Sequence, residues 1–285
     1  MEIDPAHRVA SPAGQTILVL SSHTKPGLSA PINHRIYSQR HGYDYLFDAT
    51  PYPISSPYDQ KTYAVLAAMK RTKADWIFWI DDDGYFMDHS IPLARFLPAD
   101  PNVDFIFCRS PVNPKGQWTV INAGIYFVRN SASARALLEE LLVTDMRVVE
   151  KWWNEKEHGM FIPDGDQERF VYLFLSRGMV GTKVIILDYT AFNARPYHFK
   201  SRYDEHFICH LASHRDKAIP LNDMRTRFGL DRYLMPEKSD AYTDTVFRYS
   251  VFASDPPVPP QASLWARAKR RLRKAIKGGL RLSHT

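Results

Sequence analysis

Short runs of apolar residues alternate with amphipathic segments along the first two thirds of the chain. Runs such as ILVL after Gln15 and WIFWI before Asp81 have the β-branched and aromatic composition of buried strands. The segments between the runs place apolar residues three or four positions apart, as on one face of a helix. The pattern predicts strands over 15–24, 44–50, 74–80, 103–110, 121–130 and 183–190, and helices over 31–43, 59–73, 131–152 and 164–178. This alternation predicts an α/β fold with a mostly parallel sheet flanked by helices.

Polar residues at the starts of two predicted helices are candidate N-caps. Asp59 begins the helix over 59–73, and Ser131 or Ser133 begins the helix over 131–152. Their short side-chain oxygens can accept hydrogen bonds from the backbone N–H groups that a first helical turn leaves free.

The two ends of the chain differ in composition from its centre. We expect a flexible tail over 1–14, one globular domain over 15–251, a Pro-rich linker over 252–263 and a basic amphipathic helix over 264–285. The segment 264–282 carries many Lys and Arg and no Asp or Glu, with apolar residues every fourth position on one face. Such a segment is typical of peripheral contact with an anionic membrane. A solvated terminus stays open as an alternative, and the central part lacks a nucleic-acid-binding motif.

Composition excludes several classes of protein. The chain has 285 residues, 45% of them hydrophobic, and a net charge of +6, which together allow a full core. Its two cysteines, Cys108 and Cys209, give neither a disulfide framework nor a zinc-ligand spacing. We see no signal peptide and no apolar stretch of the roughly 20 residues that a membrane span needs. These features predict a cytoplasmic protein.

Three consecutive aspartates follow the strand WIFWI. Asp81, Asp82 and Asp83 would repel one another at the carboxyl end of a strand, where ligands of parallel α/β sheets bind. In an extended turn Asp81 and Asp83 point the same way, and two hard oxygen ligands suit Mg²⁺ or Mn²⁺ completed by substrate phosphates. The alternative is an acidic turn that faces water.

Several stretches together resemble one enzyme family. ADWIFWIDDDGYFMD resembles the strand and D-x-D motif of nucleotide-sugar glycosyltransferases with the GT-A fold, and more narrowly glycosyltransferase family 34 of galactosyl-, mannosyl- and xylosyltransferases. INAGIYFVRNSASARALLEEL, DGDQERFVYLFL and HFICHLASHRDKA resemble later motifs of that family, in the same order, across roughly residues 15 to 220. The resemblance implies a GT-A (Rossmann-like) fold with a mixed, mostly parallel sheet.

The resemblance also implies roles for individual residues. It makes Asp81 and Asp83 ligands of the metal and the nucleotide diphosphate, with His210 as the third metal ligand. It also implies that Arg215 contacts phosphate. Asn122 and Gly124 would line the donor or acceptor sugar, and Asp166 and Gln167 would lie near the anomeric carbon. Ser213 and His214 depart from the family pattern, which leaves open whether His210 or His214 binds the metal.

Four further residues are placed near the donor. We assign Lys61 and Tyr37 to binding of the nucleotide, with His23 beside Tyr37 as a possible neighbour of a uracil base, and Asp82 to the substrate. The sequence also allows a purely structural role for several of the residues named in this and the preceding paragraph. His210 could be a core histidine, Asp166 a helix cap, Asn122 and Gly124 a bulge at a strand end, and Lys61 a solvated helix residue.

The resulting expectation is a metal-dependent glycosyltransferase. It would transfer a hexose or pentose from a UDP-sugar to a hydroxyl of a glycan or glycolipid. Galactose, glucose and xylose are the sugars that we expect first. The metal would be Mn²⁺ or Mg²⁺, and retention of the anomeric configuration is implied by the family alone. A metal-dependent phosphoesterase or nucleotidyltransferase, and a non-catalytic nucleotide- or glycan-binding module, are the alternatives.

Overall fold

The computed structural model describes residues 14–23, 29–54, 56, 58–163, 165–212, 214 and 216–236. The predicted linker over 252–263 and basic helix over 264–285 therefore lie outside the described residues, as do Arg215, Ser213 and all but the last residue of the predicted N-terminal tail. Within the described part, no helix combines the length and hydropathy that are needed to span a bilayer.

The centre of the fold is a six-stranded sheet. Its strands are β1 (Ile17–Ser22), β2 (Asp44–Asp48), β3 (Trp76–Ile80), β5 (Phe105–Cys108), β6 (Asn122–Arg129) and β7 (Val184–Leu187), in the spatial order β2-β1-β3-β6-β5-β7. β2, β1 and β3 are parallel, as are β5 and β7, whereas β6 is antiparallel to both of its neighbours. The predicted mixed, mostly parallel sheet is confirmed.

Helices cover both faces of this sheet. The helices of the described part are α1 (Ala30–His41), α2 (Asp59–Arg71), α3 (Ala132–Val143), α4 (Met146–Trp152), α5 (Glu155–His158), α6 (Asp166–Ser176) and α7 (Ala218–Phe228). Of these, α1 packs on one face of the sheet, and α2, α3 and α6 pack on the other. The strands alternate between two apolar clusters, as a period of two requires. In β3, for example, Ile77 and Trp79 pack towards α2, α3 and α6, whereas Trp76, Phe78 and Ile80 pack into the other cluster.

Two predictions about the helices are wrong. The single helix expected over 131–152 is interrupted, because Asp145 accepts a hydrogen bond from the backbone of Arg147 and begins a new helix. Asp59 does not cap α2. It lies inside the first turn, where its carboxylate accepts from Ser56 N and pairs with Arg169, and the preceding residue Tyr58 is the N-cap. Ser131 does cap α3, through a hydrogen bond from Ala134 N.

A second, two-stranded sheet places the aspartate turn opposite a later segment of the chain. β4 (Gly84–Phe86) pairs antiparallel with β8 (Ile208–His210), so that Gly84 lies beside His210. The backbone of Leu211 also donates to the carbonyl of Asp83, at 3.0 Å. Residues more than 120 positions apart in the sequence thereby meet at one edge of the main sheet. Cys108 and Cys209 are buried free thiols.

Candidate active site

The aspartate turn is anchored to the end of β3 and to the neighbouring strand. Asp81 N donates to the Gly124 carbonyl at 2.8 Å, and Gly84 N closes the turn by donating to the Asp81 carbonyl at 3.0 Å. The Trp79 indole donates to Asp81 Oδ1 at 2.8 Å. These bonds leave Asp81 Oδ2 directed away from the strand and towards β8.

Asp81, Asp83 and His210 form a cluster of potential metal ligands. One ligand atom from each lies within 4.8 Å of the other two. His210 Nε2 is 3.1 Å from Asp83 Oδ1 and 4.0 Å from Asp81 Oδ2. Ligands about 2.1 Å from an ion lie roughly 3 to 4 Å apart, so these separations match a shared divalent cation closely. His210, and not His214, is the histidine that the fold brings to the aspartates.

Two structural observations test whether these residues fit a metal ion. Asp83 Oδ1 is buried beside His210 Nε2 and has no other hydrogen-bond donor among the described residues, although a buried carboxylate oxygen is costly when it has few partners. Gly124 leaves the space that the cluster uses, because a Cβ there would lie 2.3 Å from His210 Cε1 and 2.8 Å from Asp81 Oδ2. Two carboxylates and one imidazole are also a donor set that suits Mn²⁺. The residues therefore fit a divalent cation.

Lysines approach the cluster from two sides. Lys61 Nζ is 3.0 Å from Asp166 Oδ2 and 3.9 Å from Asp81 Oδ1, and it donates to the Ala123 carbonyl at 3.0 Å. Lys217 Nζ is 2.5 Å from Asp83 Oδ2 and donates to the carbonyl of Leu211. The Lys61 side chain is only 12% exposed, so the reading of Lys61 as a solvated helix residue is wrong.

The two side chains at the start of α6 have different partners. Asp166 is buried and pairs with Lys61, while Gly165 occupies the N-cap position, so Asp166 does not cap the helix. Gln167 Oε1 accepts from Ala123 N at 3.2 Å. Gln167 and Lys61 therefore bind the N–H and the carbonyl of Ala123, respectively, and this fixes the backbone beside Gly124.

Asn122 and Gly124 lie in an irregular stretch of β6. The pairing with β5 shifts register here, since Phe107 opposes Tyr126 whereas Cys108 opposes Asn122. The Asn122 side chain accepts from Gly124 N at 3.1 Å. The bulge that the sequence left open is therefore present, and it turns Gly124 towards the metal-ligand cluster.

Burial and neighbouring charges alter the pKa of each aspartate in the turn. Burial raises the pKa of Asp81 to about 6, against the opposing effect of Lys61, and raises that of Asp82 to about 7. Burial would also raise the pKa of Asp83, but His210 and Lys217 outweigh it and hold that pKa below its ordinary value. Burial lowers the pKa of His210. Burial therefore makes the charged forms of Asp81 and Asp82 unfavourable, and a bound cation would offset that cost.

Other predicted site residues lie apart from this cluster. Tyr37 is fully buried, stacks on Phe86 with ring centroids 3.6 Å apart, and donates to the Ile91 carbonyl. The prediction that Tyr37 binds the nucleotide is therefore wrong, because an aromatic ring on the inner face of a helix is a core residue. Asp82 points away from the triad, with Oδ2 at 4.0 Å from His23 Nε2.

Sequence reasoning missed three residues that contact the cluster. The first is Lys217: the family resemblance assigns the phosphate contact to Arg215, which lies outside the described residues, and gives no role to Lys217. Asn193 and Arg195, from the segment before β8, contact the far side of the His210 ring. The charged sequence after His210 could have pointed to Lys217, but nothing in the local pattern singles out Asn193 or Arg195.

Comparison with known proteins links part of this chain to one family. Residues 20–103, which include the aspartate turn, match the galactosyl transferase GMA12/MNN10 family. A putative glycosyltransferase 7 of Arabidopsis thaliana is 28% identical over 138 residues, covering 44% of this chain and 30% of that protein. Galactomannan galactosyltransferase 1 of Cyamopsis tetragonoloba is 26% identical over 141 residues, covering 46% and 32%. The chain thus spans about a third of the length of these relatives.

The fold has a counterpart among solved structures. A glycosyltransferase involved in the glycosylation of the major capsid of PBCV-1 aligns with a TM-score of 0.53 and 20% identity, over 74% of this chain and 99% of that chain. At this identity the likeness shows the fold alone, which is the GT-A fold. The chain therefore has the GT-A fold, and its residues 20–103, which carry the aspartate turn, resemble the galactosyl transferase GMA12/MNN10 family.

Proposed function

We propose that the protein transfers a hexose or pentose from a UDP-sugar to a hydroxyl of a glycan or glycolipid, with a divalent cation, Mn²⁺ or Mg²⁺, held by Asp81, Asp83 and His210. The observation that carries this proposal is the meeting of those three ligands at the edge of a GT-A sheet, beside the buried Lys61–Asp166 pair.

The cation would supply positive charge to the diphosphate as the sugar leaves. Asp81, Asp83 and His210 hold the ligand positions, and Gly124 keeps the space between them free of a side chain. Lys217 forms an ion pair with Asp83 in this structure, and it lies where it could instead bind a phosphate oxygen of the donor. Arg215 retains its proposed phosphate contact, although it lies outside the described residues.

Asp166 and Gln167 are proposed to face the reacting sugar. Lys61 holds the buried Asp166 carboxylate in place, and that carboxylate would stabilise the positive charge of an oxocarbenium-like transition state. Gln167 is fixed through the Ala123 backbone, next to Asn122 and Gly124, which are the proposed sugar contacts. Asp82 stays a proposed substrate contact, and retention of configuration is proposed from the family resemblance.

The relatives suggest where a donor panel should begin. One of them is named a galactomannan galactosyltransferase, so UDP-galactose is the first donor to test, with UDP-glucose and UDP-xylose next. The test measures UDP release and glycoside formation by the purified chain, with Mn²⁺ and with EDTA. We expect release that depends on both the metal and an acceptor. Sugar phosphate or UMP as the product would instead indicate a phosphoesterase or nucleotidyltransferase, and donor binding without turnover would indicate a binding module.

The location of the protein is a separate proposal. A cytoplasmic enzyme that touches an anionic membrane through 264–282 would meet lipid-linked acceptors directly. Co-sedimentation with anionic vesicles should then be lost in a chain that ends before Leu264. Equal binding of both chains would contradict the membrane contact without affecting the proposed activity.

A further inference from the structure

The imidazole of His210 has polar contacts on the side that faces away from the aspartates. Its Nδ1 lies 2.9 Å from Asn193 Oδ1 and 3.1 Å from Arg195 Nη1. All three residues are buried, with relative exposures of 2%, 0% and 4% for His210, Asn193 and Arg195. The contacts are therefore shielded from water, and the two polar neighbours determine what Nδ1 can do.

Arg195 decides which atom of the Asn193 amide faces the ring. Arg195 Nη1 is 2.7 Å from Asn193 Oδ1 and 3.3 Å from the Asn193 carbonyl oxygen. A guanidinium nitrogen can only donate, so the amide atom that it contacts must be the oxygen and not the NH₂ group. Arg195 Nη1 also lies 3.1 Å from Nδ1, but its two N–H groups are directed to the two Asn193 oxygens, so the amide oxygen is the acceptor that Nδ1 meets.

An acceptor at Nδ1 places the ring proton on that nitrogen. Nε2 then carries its lone pair, which points at Asp83 Oδ1 from 3.1 Å. A lone pair directed at a carboxylate is unfavourable unless a cation lies with them, and a metal-bound histidine has this same arrangement. No other donor among the described residues contacts Asp83 Oδ1, so a cation would take the position between the two side chains.

The arrangement is held rigidly and costs the fold some stability. His210 N donates to the Ala194 carbonyl at 2.8 Å, which ties the segment around Asn193 and Arg195 to β8. The Asn193 NH₂ group is buried without a hydrogen-bond partner among the described residues. A buried amide that leaves its donors unused is better explained by a requirement for its oxygen than by a contribution to the core.

We propose that Asn193 and Arg195 are positioning residues of the metal site: Arg195 orients the Asn193 amide, and the amide oxygen holds the Nδ1 proton of His210, so that Nε2 is free to bind the divalent cation. This inference rests on the proposed function, because it requires a cation at the triad. It adds two residues to which neither the family motifs nor the sequence pattern assigned a role.

The test compares the affinity of variants for Mn²⁺ in the presence of UDP, measured by calorimetry on the full chain. Asn193→Leu has a similar size but no acceptor, and we expect its affinity to fall about 10- to 100-fold, the usual effect of removing such a partner. Asn193→Asp keeps an acceptor beside Arg195 and should bind within about threefold of the wild type. Asn130→Leu, at the far end of β6, is the matched control and should not change the affinity.

A spectroscopic readout covers the case in which Asn193→Leu does not fold. Nitrogen-15 NMR of the His210 ring, with Zn²⁺ as a diamagnetic metal, should show Nδ1 protonated and Nε2 bound to metal in the wild type and in Asn193→Asp. An unprotonated Nδ1, or an unchanged Mn²⁺ affinity in folded Asn193→Leu, would overturn the positioning role while leaving the metal site intact. Failure of the wild type to bind Mn²⁺ would instead overturn the metal site and this inference with it.

Discussion

Two pairs of buried charges link helices α2 and α6, and they differ in how completely their charges are matched. Asp59 on α2 pairs with Arg169 on α6 at 2.7 Å, and Ser56 N donates to the other carboxylate oxygen. Two residues further along α2 and three residues earlier on α6 the polarity is reversed, with Lys61 on α2 and Asp166 on α6 at 3.0 Å. Lys61 Nζ also lies 3.9 Å from Asp81 Oδ1, so one lysine is shared between two carboxylates.

This difference separates a structural ion pair from a binding site. In the first pair one cation faces one carboxylate, and the bonds join two helices. In the second region Lys61 and Lys217 face Asp81, Asp82, Asp83 and Asp166. Buried charge that is left unmatched by the described residues favours the binding of a cation, whereas a matched pair needs nothing further.

The largest expected effect is on the rate of sugar transfer, when a ligand of the proposed metal site is removed. Asp83→Asn removes one metal ligand, and we expect the rate of sugar transfer to fall by about 1,000-fold or more, as when a group that stabilises transition-state charge is lost. Mn²⁺ binding should fall with it. Asp44→Asn, on the exposed start of β2, is the control and should keep both properties. Full turnover by Asp83→Asn would contradict the assignment of the site.

The matched pair should respond in stability rather than in metal binding. Arg169→Met leaves Asp59 buried without its guanidinium partner, and we expect the free energy of unfolding to fall by about 3 to 5 kcal/mol. Mn²⁺ affinity at a temperature where the variant is folded should stay within a few-fold of the wild type. A large loss of affinity without loss of stability would show that the two pairs have been assigned the wrong way round.

A smaller effect is expected at Gly124, where the site depends on empty space. Gly124→Ala places a Cβ against His210 and Asp81, so we expect about a 10- to 100-fold loss of Mn²⁺ affinity and a destabilisation of about 1 to 3 kcal/mol. Gly42→Ala is a useful control because its strain comes from φ of +69° with no neighbour within 4 Å. It should lower stability without changing the affinity.

The smallest predicted effect concerns pH and lies away from the site. Burial lowers the pKa of His89 to about 4 from an ordinary value of 6.5. The unfolded chain therefore binds a proton in a range where the folded chain does not, so stability is full above pH 6.5 and falls as the pH drops towards 4. His89→Gln should remove as much as about 2 kcal/mol of the stability difference between pH 7 and pH 5, measured by urea unfolding. An unchanged difference would contradict the burial effect.

The sequence could predict the sheet and the aspartate turn because both are local patterns. Every residue of WIFWI favours a strand. The D-x-D motif follows that strand directly, so its two aspartates can be predicted as metal ligands without knowledge of the rest of the fold. The break at Asp145 and the burial of Tyr37 were missed because apolar spacing alone does not show where a helix restarts or which face is inner. The contacts of Lys217, Asn193 and Arg195 depend on the pairing of β4 with β8, which no short stretch of sequence encodes.

The measurement that tests the central claim most directly is anomalous scattering from crystals soaked with Mn²⁺ and UDP. We predict one manganese peak about 2.0 to 2.3 Å from an oxygen of Asp81, an oxygen of Asp83 and Nε2 of His210, with diphosphate oxygens completing the coordination. UDP bound elsewhere, with no manganese peak between these three side chains, would contradict the proposed metal-dependent transfer.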